Sequence, residues 1–298
     1  MTTRNKQLLA LTLCASTVAS AWVLPSVGWV WAGLASLLGV ALASAALHRP
    51  PLRAKGLLIP LLLWNFLMLG AASRLLSTAF PDGNEGTGLI LLLVAVYAAG
   101  RGEKVVLRVG AVAVFLITIL YSILVGFSLP SVDASPVGSG GAENPLIFAA
   151  ALSPMLLSFL RREETRLGTW GLTIPGLAIL CAVVTGENRN FYTAMKSVSV
   201  FGVIEGLEPL ASVAACIGGF CLMAEICTVN ERIGEKIMRR KAIVAPMNFF
   251  LGGACFWLST LVPDAVMAVG TAIFWGLIPF FPQGIEISKK FEKNEKSA

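Results

Sequence analysis

Apolar residues in this chain come in blocks, not in alternation. Ten blocks stand out, at 7–24, 28–47, 56–79, 87–100, 105–128, 144–160, 168–186, 203–229, 242–262 and 264–285. A helix of about 20 apolar residues crosses roughly 30 Å of hydrocarbon. Continuous apolar runs lack the period of two that marks a half-buried strand. In lipid the backbone must satisfy its own hydrogen bonds, so these runs predict helices. The pattern predicts an all-α membrane protein of about ten transmembrane helices, a single integral domain over 1–298 whose residues 286–298 form a charged tail. The fourth block is short and has to tilt or borrow length from its neighbours.

Charge fixes the expected orientation. With the N-terminus inside, the inner segments carry Arg4 and Lys6; Arg49, Arg53 and Lys55; Arg101, Lys104 and Arg108; Arg161, Arg162 and Arg166; Arg232, Lys236, Arg239, Arg240 and Lys241; and Lys289, Lys290, Lys293 and Lys296. Those are twenty of the 23 basic residues, and only Arg74, Arg189 and Lys196 fall outside. Removing one helix mid-chain would scramble this asymmetry, so the positive-inside rule favours ten spans with both termini cytoplasmic. The net charge of +6 is then a topology signal and calls for no nucleic-acid partner. Composition agrees: 56% of residues are hydrophobic, 13% are charged and the mean hydropathy is +0.78, whereas a soluble domain carries about a quarter charged residues.

The outer segments read differently. Residues 80–85 form a short acidic turn, 128–143 a Pro/Gly/Ser-rich stretch, and 187–202 a segment long enough for a short helix lying on the outer face, with Phe191, Tyr192 and Met195 toward lipid. The start also has a second reading. Arg4 and Lys6, an apolar stretch from Leu8 and then Ala19-Ser20-Ala21 resemble a cleavable signal peptide. Cleavage would leave the next helix in the same orientation, and amino-terminal sequencing separates the two. The six cysteines lie within apolar runs without C-x-x-C spacing and read as reduced packing residues. His48, the sole histidine, neighbours Arg49 at a helix end, where interfacial solvation accounts for it. No nucleophile–base pair, phosphate loop, metal-ligand spacing or cofactor pattern appears, so the chain is not expected to be an enzyme. The pairs Gly218-Gly219 and Gly252-Gly253 read as close helix contacts.

Several stretches resemble one family. Gly100-Arg101-Gly102-Glu103-Lys104-Val105-Val106-Leu107-Arg108 opens the fifth span, and Pro130-Ser131-Val132-Asp133 follows it. These resemble the entry to and exit from the fifth span in the B subunits of spore germinant receptors, the Ger-type endospore germination permeases. Trp22-Val23-Leu24-Pro25-Ser26 with Trp31-Ala32-Gly33-Leu34 is similar to that family's first hairpin. Asn190-Phe191-Tyr192 and the run from Ser197 to Glu208 resemble its outer helix and the start of span eight, and Phe159-Leu160-Arg161-Arg162 fits its basic loop after span six. The motifs follow in family order along most of the chain. Gly206 stands where family members carry an arginine, a later basic position of that span is absent with Glu225 in its region, and the chain is shorter in its loops.

The resemblance implies the amino-acid/polyamine/cation transporter arrangement: two inverted five-helix repeats with spans one and six broken near the midplane. Broken helices offer backbone groups and half-helix dipoles to a zwitterion. On that basis Ser16, Thr17 and Ser20 in span one, and Ser153 with Pro154 in span six, are candidate ligand-binding residues, as is Asn65 in span three. Each has a plainer reading: polar contacts between packed helices for the hydroxyls, a kink for Pro154, an interhelical hydrogen bond for Asn65. Glu205 and Glu208, spaced i and i+3, are expected on one helix face at the outer end of span eight, either as functional carboxylates or as capping groups at the positive dipole end. Glu225 is expected to pair with Arg232 and Lys236 at the interface, and Arg74 to snorkel outward.

The implied function is a membrane subunit in the inner membrane of the spore that binds a small amino-acid-like germinant and signals to a membrane A-type and a lipoprotein C-type companion. A secondary transporter of an amino acid or cation, in the same superfamily, is the alternative. A structural subunit with a degenerate pocket is the third reading.

Overall fold

The computed structural model describes residues 3–23, 29–47, 55–77, 85–128, 152–160, 176, 179, 199–200, 204–205, 207–238 and 243–280, with side chains of the first helix described as far as Ser16. Five helices open the chain: α1 (Thr3–Val23), α2 (Trp29–Leu47), α3 (Lys55–Ser77), α4 (Glu85–Gly100) and α5 (Glu103–Ser128). A 3₁₀ turn at Ser153–Met155 leads into α6 (Leu156–Leu160). Strands β1 (Ser199–Val200) and β2 (Ile204–Glu205) pair antiparallel, Ser199 opposite Glu205 and Val200 opposite Ile204. Then come α7 (Glu208–Met238), α8 (Val244–Leu261) and α9 (Asp264–Thr271), the last continued by a π-helical segment to Leu277 and a 3₁₀ turn to Phe280.

Among the described residues, Gly56–Ser77, Glu103–Phe127, Pro209–Met238 and Val244–Leu261 are each long and apolar enough to cross a bilayer. Val30–Ala46, Glu85–Gly100 and Val269–Phe280 are shorter apolar helices. The chain is an all-α membrane protein, with the small β ladder as the single strand pairing among those residues. Residues 80–84, 129–143 and 144–151, the seventh block (168–186) apart from Gly176 and Ile179, and the charged tail lie outside them. So does the expected outer helix at 187–202, apart from Ser199 and Val200, which are extended.

Small residues let the helices approach. A methyl group on Gly70 of α3 would collide with the backbone of Cys255 and Phe256 in α8, and one on Gly88 of α4 with the Ser73 carbonyl of α3. Gly219 of α7 sits against Leu76 in the same manner, whereas Gly252 makes ordinary contact with Leu69 and Leu92 and Gly253 faces open space. Close backbone approach is how helices gain packing energy in lipid, where water supplies no hydrophobic drive. The outward faces are apolar as lipid contact requires; Phe115, Phe250 and Leu261 are among the exposed side chains.

The turn between α4 and α5 is dictated by one residue. Gly102 has φ of 107°, its N–H donates to the Ala99 carbonyl at 2.8 Å, and its own carbonyl accepts from Val105 N–H at 2.9 Å. Glycine takes this left-handed conformation without steric cost and commonly closes a helix. The chain reverses within two residues, and Glu103 becomes the first residue of α5, at the positive end of the helix dipole.

Two expectations about helix geometry are corrected. The first span is unbroken: α1 runs as one helix through Ala15, Ser16 and Thr17. No glycine or proline occurs between Leu8 and Val23, and the Ser16 hydroxyl donates to the Thr12 carbonyl one turn back at 2.7 Å, a bond that leaves the helix intact. In span six the backbone does change, at the 3₁₀ turn holding Ser153 and Pro154. The eighth span starts at Glu208 in place of residue 203. Pro209 fits this start, because its missing N–H falls in the first helical turn, where an N–H has no intrahelical partner. Glu205 is therefore in β2 and shares no helix face with Glu208.

Candidate functional site

Three segments far apart in sequence place polar side chains together inside the bundle. Ser16 of α1 and Ser153 of the 3₁₀ turn, each with no exposed surface, meet with Oγ atoms 3.0 Å apart. The Ser16 proton is directed at the Thr12 carbonyl, so Ser153 is the donor in the pair. One turn down α1, the Thr12 hydroxyl donates to Oε1 of Glu225 on α7 at 2.7 Å. Glu225 is wholly buried, and its Oε2 has no hydrogen-bond partner among the described residues. The result is a polar seam through apolar packing, Ser153–Ser16–Thr12–Glu225, joining α1, the 3₁₀ turn before α6, and α7. It offers hydroxyl groups that both donate and accept, and one carboxylate oxygen with capacity to accept. Such an oxygen, buried at membrane depth, is costly unless a donor or a positive charge meets it.

The candidates chosen from the sequence divide accordingly. Ser16 and Ser153 come together, and Pro154 is buried beside Ser153 in the turn. Thr17 and Ser20 lie on α1, with side chains outside the described residues, as is that of Glu208. Asn65 belongs elsewhere. Its amide donates to Oδ1 of Asn230 at 2.8 Å, and its Oδ1 accepts from Trp275 Nε1 at 2.9 Å. Asn230 in turn donates to Asn248 Oδ1 at 2.9 Å, and Asn248 to the Cys227 carbonyl at 3.4 Å. This buried amide chain ties α3, α7, α8 and the π segment after α9, as the interhelical reading of Asn65 anticipates. The π turn carries Trp275.

Glu225 departs from its expected role. It lies seven residues before Arg232, about 10 Å along the helix, and the hydrogen bond it makes is to Thr12. Arg232 turns instead to Glu103. Arg4 of α1 donates to Oε1 of Glu103 through Nε at 3.1 Å and Nη2 at 2.5 Å, and Arg232 Nη2 donates to Oε2 at 2.5 Å. Both guanidiniums also donate to the Leu160 carbonyl at the end of α6, Arg4 at 3.1 Å. One carboxylate and one carbonyl thus gather the ends of α1, α5, α6 and α7. A free carbonyl at a helix C-terminus carries partial negative charge and suits cations.

Thr12, Asn230, Asn248, Trp275 and the Glu103 node were not singled out from the sequence. Glu225 was, but for the wrong environment: Arg232 is taken by Glu103 on another helix, a choice that no local pattern announces. Among the described residues no group of His, Cys, Asp and Glu is arranged to hold a metal ion, and five cysteines, Cys14, Cys216, Cys221, Cys227 and Cys255, are free thiols. Compared with models of known protein families and with curated proteins, the chain matches none.

Proposed function

We propose that this chain is a B-type membrane subunit of a nutrient germinant receptor, binding a small amino-acid-like germinant at the seam of Ser16, Ser153, Thr12 and Glu225. The observation that carries the reading is the meeting of Ser16 and Ser153. They were chosen as the polar positions of spans one and six, and they lie in contact, with a carboxylate adjoining. A ligand ammonium would satisfy the open oxygen of Glu225, and a ligand carboxylate could take the hydroxyl proton that now joins Ser153 to Ser16. Separating that pair shifts span six relative to span one. A germinant that prefers the separated arrangement biases the population toward it, which is how such a subunit would signal to a membrane A-type and a lipoprotein C-type companion.

The architecture proposed with it is ten spans in two inverted repeats, in the inner membrane of the spore with both termini cytoplasmic. Two features support this: the loop charges, and the joining of Arg4, Glu103, Leu160 and Arg232, four positions that a ten-span path assigns to the same side. The family motifs set out above support the germination role.

A second reading, a secondary transporter for an amino acid or cation, is favoured by Glu225 itself, since carboxylates at membrane depth mark ion and proton paths. Deleting the gene in a spore-former and scoring germination against a nutrient panel tests the first reading. Loss of response to one amino-acid class, reproduced by Ser16→Val and Ser153→Val in stably produced protein, supports it. An unchanged response on the full panel overturns it. Saturable, gradient-driven uptake in proteoliposomes would establish the transporter in its place.

A further inference from the structure

A groove of about 590 Å³ runs between α4, α5 and α7 on the outside of the bundle. Its walls are almost wholly apolar, including Leu91, Val112, Leu116, Ile217 and Phe220, with Arg108 as the one charged residue in its lining. Arg108 and Leu116, both in that lining, are about 12 Å apart along α5, against roughly 15 Å for the hydrocarbon of one leaflet. Arg108 is exposed, and so is Lys104 one turn nearer the helix start. Neither has a hydrogen bond or ion pair among the described residues. The carboxylate closest to them in sequence, Glu103, has both oxygens engaged by Arg4 and Arg232. Two unneutralised cations spaced i and i+4 repel on a helix face, and an anion between them removes the penalty.

We propose that this groove is a binding site for an anionic phospholipid, with an acyl chain between α4, α5 and α7 and the phosphate held by Lys104 and Arg108. A zwitterionic lipid fits the groove equally well but brings a second positive charge to the cation pair. The site therefore selects on headgroup charge, while the groove supplies affinity for the chain. Free inorganic phosphate shares the headgroup chemistry but has nothing to place in the groove. The proposal is independent of the germinant reading, since no residue of the polar seam takes part.

Native mass spectrometry of the detergent-purified full chain tests it, with phosphatidylglycerol and phosphatidylcholine of matched chains titrated separately. Each cation near the headgroup strengthens binding several-fold, so phosphatidylglycerol is expected to be retained about ten- to thirty-fold more tightly. The double variant Lys104→Gln, Arg108→Gln should erase that preference and leave phosphatidylcholine binding unchanged. Val112→Trp, at a position already 62% exposed, should fill the groove and weaken both lipids without altering charge. Equal retention of the two lipids by the unaltered chain overturns the proposal. So does full displacement of phosphatidylglycerol by millimolar inorganic phosphate, or protection of the groove by a second copy in a lipid-free dimer.

Discussion

Replacing Glu103 with glutamine should destabilise the folded protein far more than the loss of one interfacial charge would ordinarily cost. The side chains of Arg4, Glu103 and Arg232 keep 26%, 16% and 13% of their surface exposed. Fully exposed ion pairs contribute about 0–1 kcal/mol, and removing one partner of a fully buried pair costs about 3–5 kcal/mol. This node lies between those limits, so Glu103→Gln should cost about 2–3 kcal/mol. Glutamine keeps one carbonyl oxygen for one guanidinium, but its NH₂ presents donors to the other, and two like charges then share the Leu160 carbonyl. The fully buried thiols of Cys14, Cys221 and Cys227 report unfolding directly, through a thiol-reactive fluorophore during a thermal ramp in detergent. The apparent midpoint should fall by roughly 5–10 °C. Combining Glu103→Gln with Arg232→Gln should cost less than the sum of the single changes, because the second removes a guanidinium the first has stranded. Glu85→Gln, an exposed carboxylate opening α4, should stay within about 0.5 kcal/mol of the parent. If Glu103→Gln moves the midpoint no further than Glu85→Gln, the node does not hold these helices together.

Three further outcomes are expected. Asn230→Leu strands the Asn65 amide and the Asn248 side-chain carbonyl, at about 1–3 kcal/mol for each orphaned group; the same thermal assay should show a larger drop than for the double variant Asn230→Leu, Asn248→Leu, which leaves only the Asn65 amide stranded and keeps the Trp275 bond to Asn65. Gly70→Ala forces α3 away from the α8 backbone and should sharply lower the yield of monodisperse protein, whereas Gly253→Ala, with open space around it, should be neutral or slightly stabilising through helix propensity. Reporter fusions at the segments following Arg161 and Arg239 should locate both on the same side of the membrane, and opposite sides would break the loop-charge argument.

The sequence was most informative about what depends on a segment alone. Block length and loop charge describe each helix without reference to its neighbours, and α1 to α5 and α8 fall within about four residues of the blocks that announced them. Ser16 and Ser153 were reached by another route: the family resemblance directs attention to the middle of spans one and six, where these hydroxyls stand. The errors arose where a local rule was overlooked or a family pattern was imposed. Pro209 announces the start of α7, and a run from Leu8 to Val23 without glycine or proline announces an unbroken α1. What no local rule supplies is the choice of partner. Asn65 needs hydrogen bonds inside the membrane, but nothing in span three says that Asn230 and Trp275, 165 and 210 residues away, will provide them.

Partner choices are nevertheless linked, because each polar group in a bilayer can be satisfied only at another's expense. Arg232 can reach one carboxylate well. Once it joins Arg4 on Glu103 at the end of the bundle, Glu225 is left two turns deeper on the same helix with Thr12 as its one hydrogen-bond donor among the described residues. The arrangement that closes the bundle end is therefore the one that leaves an open oxygen in its middle. The two carboxylates carry the same formal charge and sit in helices of similar composition; their roles diverge because Glu103 begins a helix beside two guanidiniums, and Glu225 lies inside one. A chain with Glu225 displaced one turn toward Arg232 could close that ion pair and lose the seam, and with it the carboxylate that α7 places against Thr12.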